Sequence, residues 1–188
     1  MSQGPPENQE LAGLSRYENQ PQADDDTHYT LYVCPFSLYS IMARFTIALG
    51  CRHHKAPRGL PDITYKLLNL HTDENLEEWY LTTVNPKGQV PAMYAERNAQ
   101  PRFAKKTDSL DISKVFCIVY FPGMFPDEHK TTIEELLGKI HAIQGFSLSV
   151  KEPREEAKVE MLDRGLEKLL ARDDISTSYR RALEYKRA

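Results

Sequence analysis

The chain has 188 residues, of which 40% are hydrophobic and 27% charged, with a formal net charge of −3. That balance fits one ordinary globular domain plus part of a second, and it offers no clustered positive surface for a nucleic acid or a membrane. No run nears the roughly 18 apolar residues that span a bilayer. Residues 1–26 carry no apolar signal-peptide core, and three cysteines without close spacing argue against a disulfide framework, so the expectation is a cytoplasmic, reduced protein.

Residues 1–27, rich in Gln, Asn, Pro, Asp and Glu, read as a disordered leader. Tyr29 to Val33 is a β-branched and aromatic run that ends against Pro35, which predicts a strand. An apolar pattern at helical spacing follows at Leu38, Ile41, Phe45, Ala48 and Leu49, with Ser37 at the N-cap position and Gly50 as a C-terminal stop. Ile63 to Leu70 predicts a second strand and Asn75 to Val84 a helix that Pro86 ends. Val90 to Ala95 predicts a third strand, Arg97, Asn98 and Pro101 a turn, Phe103 to Lys106 a short fourth strand, and Ser109 to Tyr120 a third helix.

The order βαβαββα predicts an open mixed sheet flanked by helices, with an antiparallel hairpin at its end. Beyond about residue 125 the pattern is helical: Ile133, Leu136, Leu137, Ile140 and Ile143 form one apolar stripe, and Val159, Leu162, Leu166 and Leu169 another. A last helix is expected at Ser178 to Lys186. The predicted division is a leader at 1–27, an α/β domain at 28–122 and a short all-α domain at 127–188.

Three local features bear chemistry. Pro91 at the entry to a strand removes a ladder hydrogen bond. A cis Val90–Pro91 bond would turn the Val90 N–H and C=O toward a pocket, where they could pair with a peptide as one more strand would; an ordinary trans proline at a strand start is the alternative. Thr107-Asp108-Ser109 heads a helix, so the Ser109 amide and hydroxyl form an anion site and Asp108 suits an ammonium group. Plain N-capping explains the same residues. Cys34-Pro35-Phe36-Ser37-Leu38-Tyr39-Ser40 lies between the first strand and first helix, where hydroxyls and the helix dipole favour a thiolate; capping is again the alternative for Ser37. The six histidines have no ligand spacing with the cysteines, so no metal is expected, and no P-loop or dinucleotide glycine pattern occurs.

Together these stretches resemble the glutathione S-transferase family, and most of all its serine-type members. Asn85 to Met93 is similar to the family's N-P-x-G-x-V-P-x-L stretch with Met93 for Leu, Asp108-Ser109 to its acidic-Ser pair, and Leu31 to Arg44 to its strand–loop–helix opening. The resemblance covers Tyr29 to about Tyr120 and reaches the helical part only in outline. It implies a thioredoxin-like α/β domain followed by a helical domain that is truncated here. It implies glutathione as cosubstrate or cofactor: Gln89 and the Val90 backbone would hold the cysteinyl part, Asp108 and Ser109 the γ-glutamyl end, and His54 in the His53-His54-Lys55 loop the glycyl carboxylate.

In the serine-type members resembled, the catalytic hydroxyl lies seven residues before the arginine of the first helix, and Arg44 then points to Ser37. Ser37 is the first choice of catalytic residue, Ser40 the second and Cys34 the third. Tyr32, Phe36 and Tyr39 are candidates to wall an apolar second-substrate site, or else core residues. The implied activity is that of a transferase, or of a cis–trans isomerase acting on a bulky electrophilic substrate, with likeness to fungal members that serve secondary metabolism. The alternatives are a non-catalytic binding protein of the same fold and a glutaredoxin-like thiol exchanger using Cys34. A short helical domain would leave Leu162, Leu166 and Leu169 to be covered in a homodimer.

Overall fold

In β1 (His28–Val33), Tyr29, Leu31 and Val33 alternate toward one face and enter the main core. These elements come from a computed structural model that describes residues 27–53, 56, 59–97, 100–142 and 165–187. The chain enters α1 (Leu38–His53) after β1 and returns as β2 (Asp62–Leu67), which pairs parallel with β1. β3 (Ala92–Arg97) runs antiparallel to β1, and β4 (Gln100–Lys106) antiparallel to β3. The sheet order is β2-β1-β3-β4. This is the mixed, thioredoxin-like sheet expected from the sequence. Pro101 lies inside β4 rather than in the turn, and an edge strand tolerates the missing N–H.

α2 (Ser109–Val119) packs Ile112, Val115, Phe116 and Val119 against the same sheet face as Ala43 and Ile47 of α1. The α1 period is helical as expected, but the inward face differs. Ser40, Ala43, Ile47 and Gly50 are buried, whereas Leu38, Ile41 and Phe45 are exposed. The pattern rule assigns the larger side chains to the core. Here small residues face inward because α1 lies close to the sheet and to Phe121. A Cβ at Gly50 would fall 2.2 Å from Phe121 Cδ2. Gly50 therefore stands inside α1 as a close-packing residue, not after it as a stop.

The helix expected at Asn75 to Val84 is replaced by 3₁₀ turns at Leu70–Thr72 and Glu74–Leu76 and a π-helical turn at Tyr80–Val84. Local polar bonds compete with a regular helix there. Asp73 adopts φ 56°, the Asn69 side chain accepts from the His71 amide, and the Thr82 and Thr83 hydroxyls donate back to the Glu78 and Trp79 carbonyls.

The chain divides into two compact units, residues up to 67 with 90–137, and 68–89 with 138 onward. The second unit thus takes its 68–89 segment from within the span assigned to the α/β domain. α3 (Lys130–His141), which the division crosses after Leu137, carries the Ile133 stripe, with Leu136 and Ile140 exposed. In the second unit, residues 165–170 are helical and α4 (Thr177–Arg187) stands where the last helix was expected. Leu166, Tyr179 and Leu183 pack with Leu81, and Leu169 lies against that cluster. Leu166 is therefore buried within the chain and Leu169 partly so; Val159 and Leu162 fall outside the described residues, as does residue 143 of the earlier stripe.

Candidate functional site

Register brings the three chemical segments to one end of the sheet. Tyr32, near the end of β1, pairs with Ala92 at the start of β3, and Met93 pairs with Lys106 at the end of β4. The loop from Cys34 to Ser37, the Val90–Pro91 step and the head of α2 therefore share an edge, although residues 34 to 109 span much of the sequence. Ligands in open α/β sheets collect at such carboxyl-end crevices.

Val90–Pro91 is cis, as the strand-entry proline suggested. The β1–β3 ladder begins at Ala92, so the Val90 backbone lies outside its register. Gln89 is exposed and belongs to the second unit. There its carbonyl accepts from Tyr80 Oη at 2.7 Å and Asn85 Nδ2 at 2.8 Å. The Gly88 amide donates to the Asn85 carbonyl at 2.8 Å, and Gly88 has φ 58°, a conformation that glycine adopts without strain.

At the head of α2, Asp108 Oδ1 caps the helix, accepting from the Leu110 amide at 2.8 Å and the Asp111 amide at 3.2 Å. Capping is thus a real role of Asp108. Ser109 differs: it is 2% exposed, and among the described residues its Oγ has no hydrogen-bond partner. A buried hydroxyl left unpaired costs about 1–3 kcal/mol. Its amide, in the first turn, has no intrahelical acceptor either. The Ser109 carbonyl is engaged by the Ser113 hydroxyl at 2.8 Å, and Ser113 Oγ lies 3.2 Å from Thr46 Oγ1 on α1. That contact fixes the two helices side by side.

Around the first helix, Ser37 is half-buried, and its Oγ accepts from the Ser40 amide at 3.4 Å. A hydroxyl that accepts this bond still has its proton to donate. Ser40 is fully buried and its Oγ accepts from the Cys34 amide at 3.2 Å, which ties the loop to the helix. Cys34 is itself buried. Tyr32 is buried edge-to-face with Tyr94, at 6.3 Å between ring centroids, which is a core position. Phe36 is 84% exposed and Tyr39 half-buried. His54 lies outside the described residues.

Lys106, at the end of β4, is only 6% exposed, a buried charge that its sequence context did not single out. Its signal was the two-residue alternation: Ala104 and Lys106 both face residues of the buried strand β3, Ala95 and Met93. Cys117 is also buried, and burial pushes its thiol up to about 11. The other free thiol, Cys51, is exposed near the end of α1. No group of three His, Cys, Asp or Glu side chains converges as a metal site among the described residues.

No protein-family model matches the sequence, and no curated protein matches it. Among solved structures, the chain is similar to a glutathione transferase homolog from sulfitobacter determined with bound glutathione, at 16% identity and a TM-score of 0.44, over 85% of this chain and 83% of that one.

Proposed function

We propose that the shared sheet edge binds glutathione and that the protein is a glutathione-dependent transferase or cis–trans isomerase of the serine type. The unpartnered, buried Ser109 hydroxyl at the head of α2 carries this reading. A γ-glutamyl carboxylate would give that hydroxyl an acceptor and would meet the positive end of the helix dipole. Lys106, at the same edge, adds positive charge for an anionic tripeptide. The Val90 backbone, outside the ladder, is available to pair with the cysteinyl residue.

Ser37 then faces the thiol. Its O–H donates to the sulfur while its oxygen keeps the capping bond, and both this donation and the α1 dipole favour the thiolate. The thiol proton passes to water and the thiolate forms a C–S bond to an electrophilic carbon of an apolar acceptor. The displaced electron pair departs with a leaving group such as chloride, or rests on the acceptor until it takes a proton from water or expels the thiolate again. Release of the adduct is transfer. Rotation about the former double bond followed by C–S cleavage is isomerisation, with glutathione returned. In this reading the exposed Phe36 and half-buried Tyr39 meet such an acceptor, which fungal secondary metabolites exemplify. A cytoplasmic, reducing setting suits a protein that uses glutathione.

A thiol exchanger using Cys34 is disfavoured by the burial of that sulfur, since exchange needs an accessible thiolate. The test is conjugation of glutathione to a chloronitrobenzene or an unsaturated carbonyl compound. Ser37→Ala is expected to lower kcat by about 10- to 100-fold and Cys34→Ser to leave it within about threefold. The reverse ranking would overturn the serine assignment. Binding without turnover in the parent chain would make it a non-catalytic glutathione-binding protein.

A further inference from the structure

We propose that β2 is a self-association edge, pairing antiparallel with β2 of a second copy of this chain about a two-fold axis through Thr64. The inference stands apart from the ligand reading.

Among the described residues β2 is an outer strand of the sheet, and one row of its N–H and C=O groups has no neighbouring strand there. Every residue of the strand except the half-buried Ile63 is exposed, Tyr65 and Leu67 included, as is Leu60 just before it. Charge and proline blunt such an edge, and Pro61, Asp62 and Lys66 supply both here, so pairing needs a register in which the charges are met. The sequence Asp62-Ile63-Thr64-Tyr65-Lys66-Leu67 is complementary to itself when reversed. With Thr64 opposite Thr64, Asp62 meets Lys66 of the second copy and Lys66 meets its Asp62. Ile63 meets Tyr65, and Leu67 meets Pro61. A shift by two residues, the smallest that the strand's alternation allows, would set Lys66 against Thr64 and Asp62 against Leu68, or Asp62 against Thr64 and Lys66 against Leu60. Charge therefore selects this register.

The two faces of the strand agree with the pairing. Asp62 and Lys66 share the side of the sheet that carries His28 and Tyr32: His28 Nδ1 lies 2.8 Å from Asp62 Oδ2, and Lys66 Nζ lies 5.6 Å from the Tyr32 ring centroid. These contacts hold both charges over one face, where a partner's opposite charges would arrive. Ile63 and Tyr65 share the other face, toward α1. Burial raises the pKa of Tyr65, and the positive charge of Arg44 on α1 opposes that shift. Ile41 and Phe45 of α1 are exposed beside Arg44, so the apolar side of the paired strands would continue onto the helix.

The experiment is sedimentation velocity of the full chain over a wide dilution series, with Asp62→Lys, Lys66→Asp and the double exchange. Each pairing contains the contact twice, so a single reversal replaces two attractions with two repulsions. It is expected to weaken association by about tenfold or more, and the double exchange to restore it to within a few-fold. Amide hydrogen exchange of the parent protein gives a second readout that needs no variant: protection of residues 62–67 should rise with protein concentration. A parent chain that stays monomeric, reversals without effect, or β2 protection independent of concentration would each overturn the proposal.

Discussion

Cys117 lies on α2 and is 8% exposed, with its thiol pushed from 9.0 to about 11 by burial. A thiol whose folded value is raised contributes stability that is complete below the unfolded value and is lost as pH rises through the folded one. Stability should therefore fall between about pH 9 and 11, by on the order of 1–2 kcal/mol once water reaching part of the thiol is allowed for. Burial of Lys186, which lowers its ionisation, acts with the opposite sign near the same range. Comparing urea unfolding of the parent with Cys117→Ala isolates the cysteine: the variant should lose this part of the slope, whatever its absolute stability. Equal slopes would show that Cys117 does not carry it. Single residues were legible in the sequence where their role is local. Asp108 as a cap followed from its place before a helix, and it caps. The isolation of the Ser109 hydroxyl was not legible, because it depends on what the sheet and α1 bring around the head of α2.

At the scale of elements, α1 separates what pattern reveals from what packing decides. Its helical period and start were readable, but its buried face was not, since hydrophobic size was a poor guide where the partner surface leaves room only for Ser40, Ala43, Ile47 and Gly50. Gly50→Ala tests this directly. Intrinsic propensity favours alanine in a helix interior by about 1 kcal/mol. Against that, the new methyl would meet three ring atoms of the fully buried Phe121 at 2.2–2.6 Å, and overpacking of this kind costs about 1–3 kcal/mol. Because the ring is locked in the core, the clash should outweigh propensity, and chemical denaturation should show net destabilisation of about 1–2 kcal/mol. Phe121→Leu should relieve part of that loss in the double variant. A more stable Gly50→Ala protein would mean that α1 stands further from Phe121. The Tyr80–Val84 segment failed as a regular helix for a different reason: its threonine hydroxyls bond backward to the carbonyls of Glu78 and Trp79, a competition that apolar periodicity does not register.

Across the molecule, the sheet was the most legible feature, since strand alternation and the βαβ and hairpin spacings specify its pairings nearly alone. The compact units were less legible. Residues 68–89 group with the helices near the end of the chain because Leu81 packs with Leu166, Tyr179 and Leu183, and Tyr179 Oη donates to the Leu76 carbonyl at 2.6 Å. Contacts so far apart in sequence leave no local signature.

The functional account rests on one edge of the sheet, where Ser37, Val90 and Ser109 come together through register. Isothermal calorimetry of glutathione with the parent chain and with Ser109→Ala, alongside thermal melts, is the direct test. Loss of a buried hydroxyl that has no partner should leave stability unchanged or slightly raised, while glutathione affinity falls about tenfold, as expected when one charge-assisted hydrogen bond is removed. No heat of binding to the parent chain, or equal affinity in the two proteins, would contradict the assignment of this edge as a glutathione site.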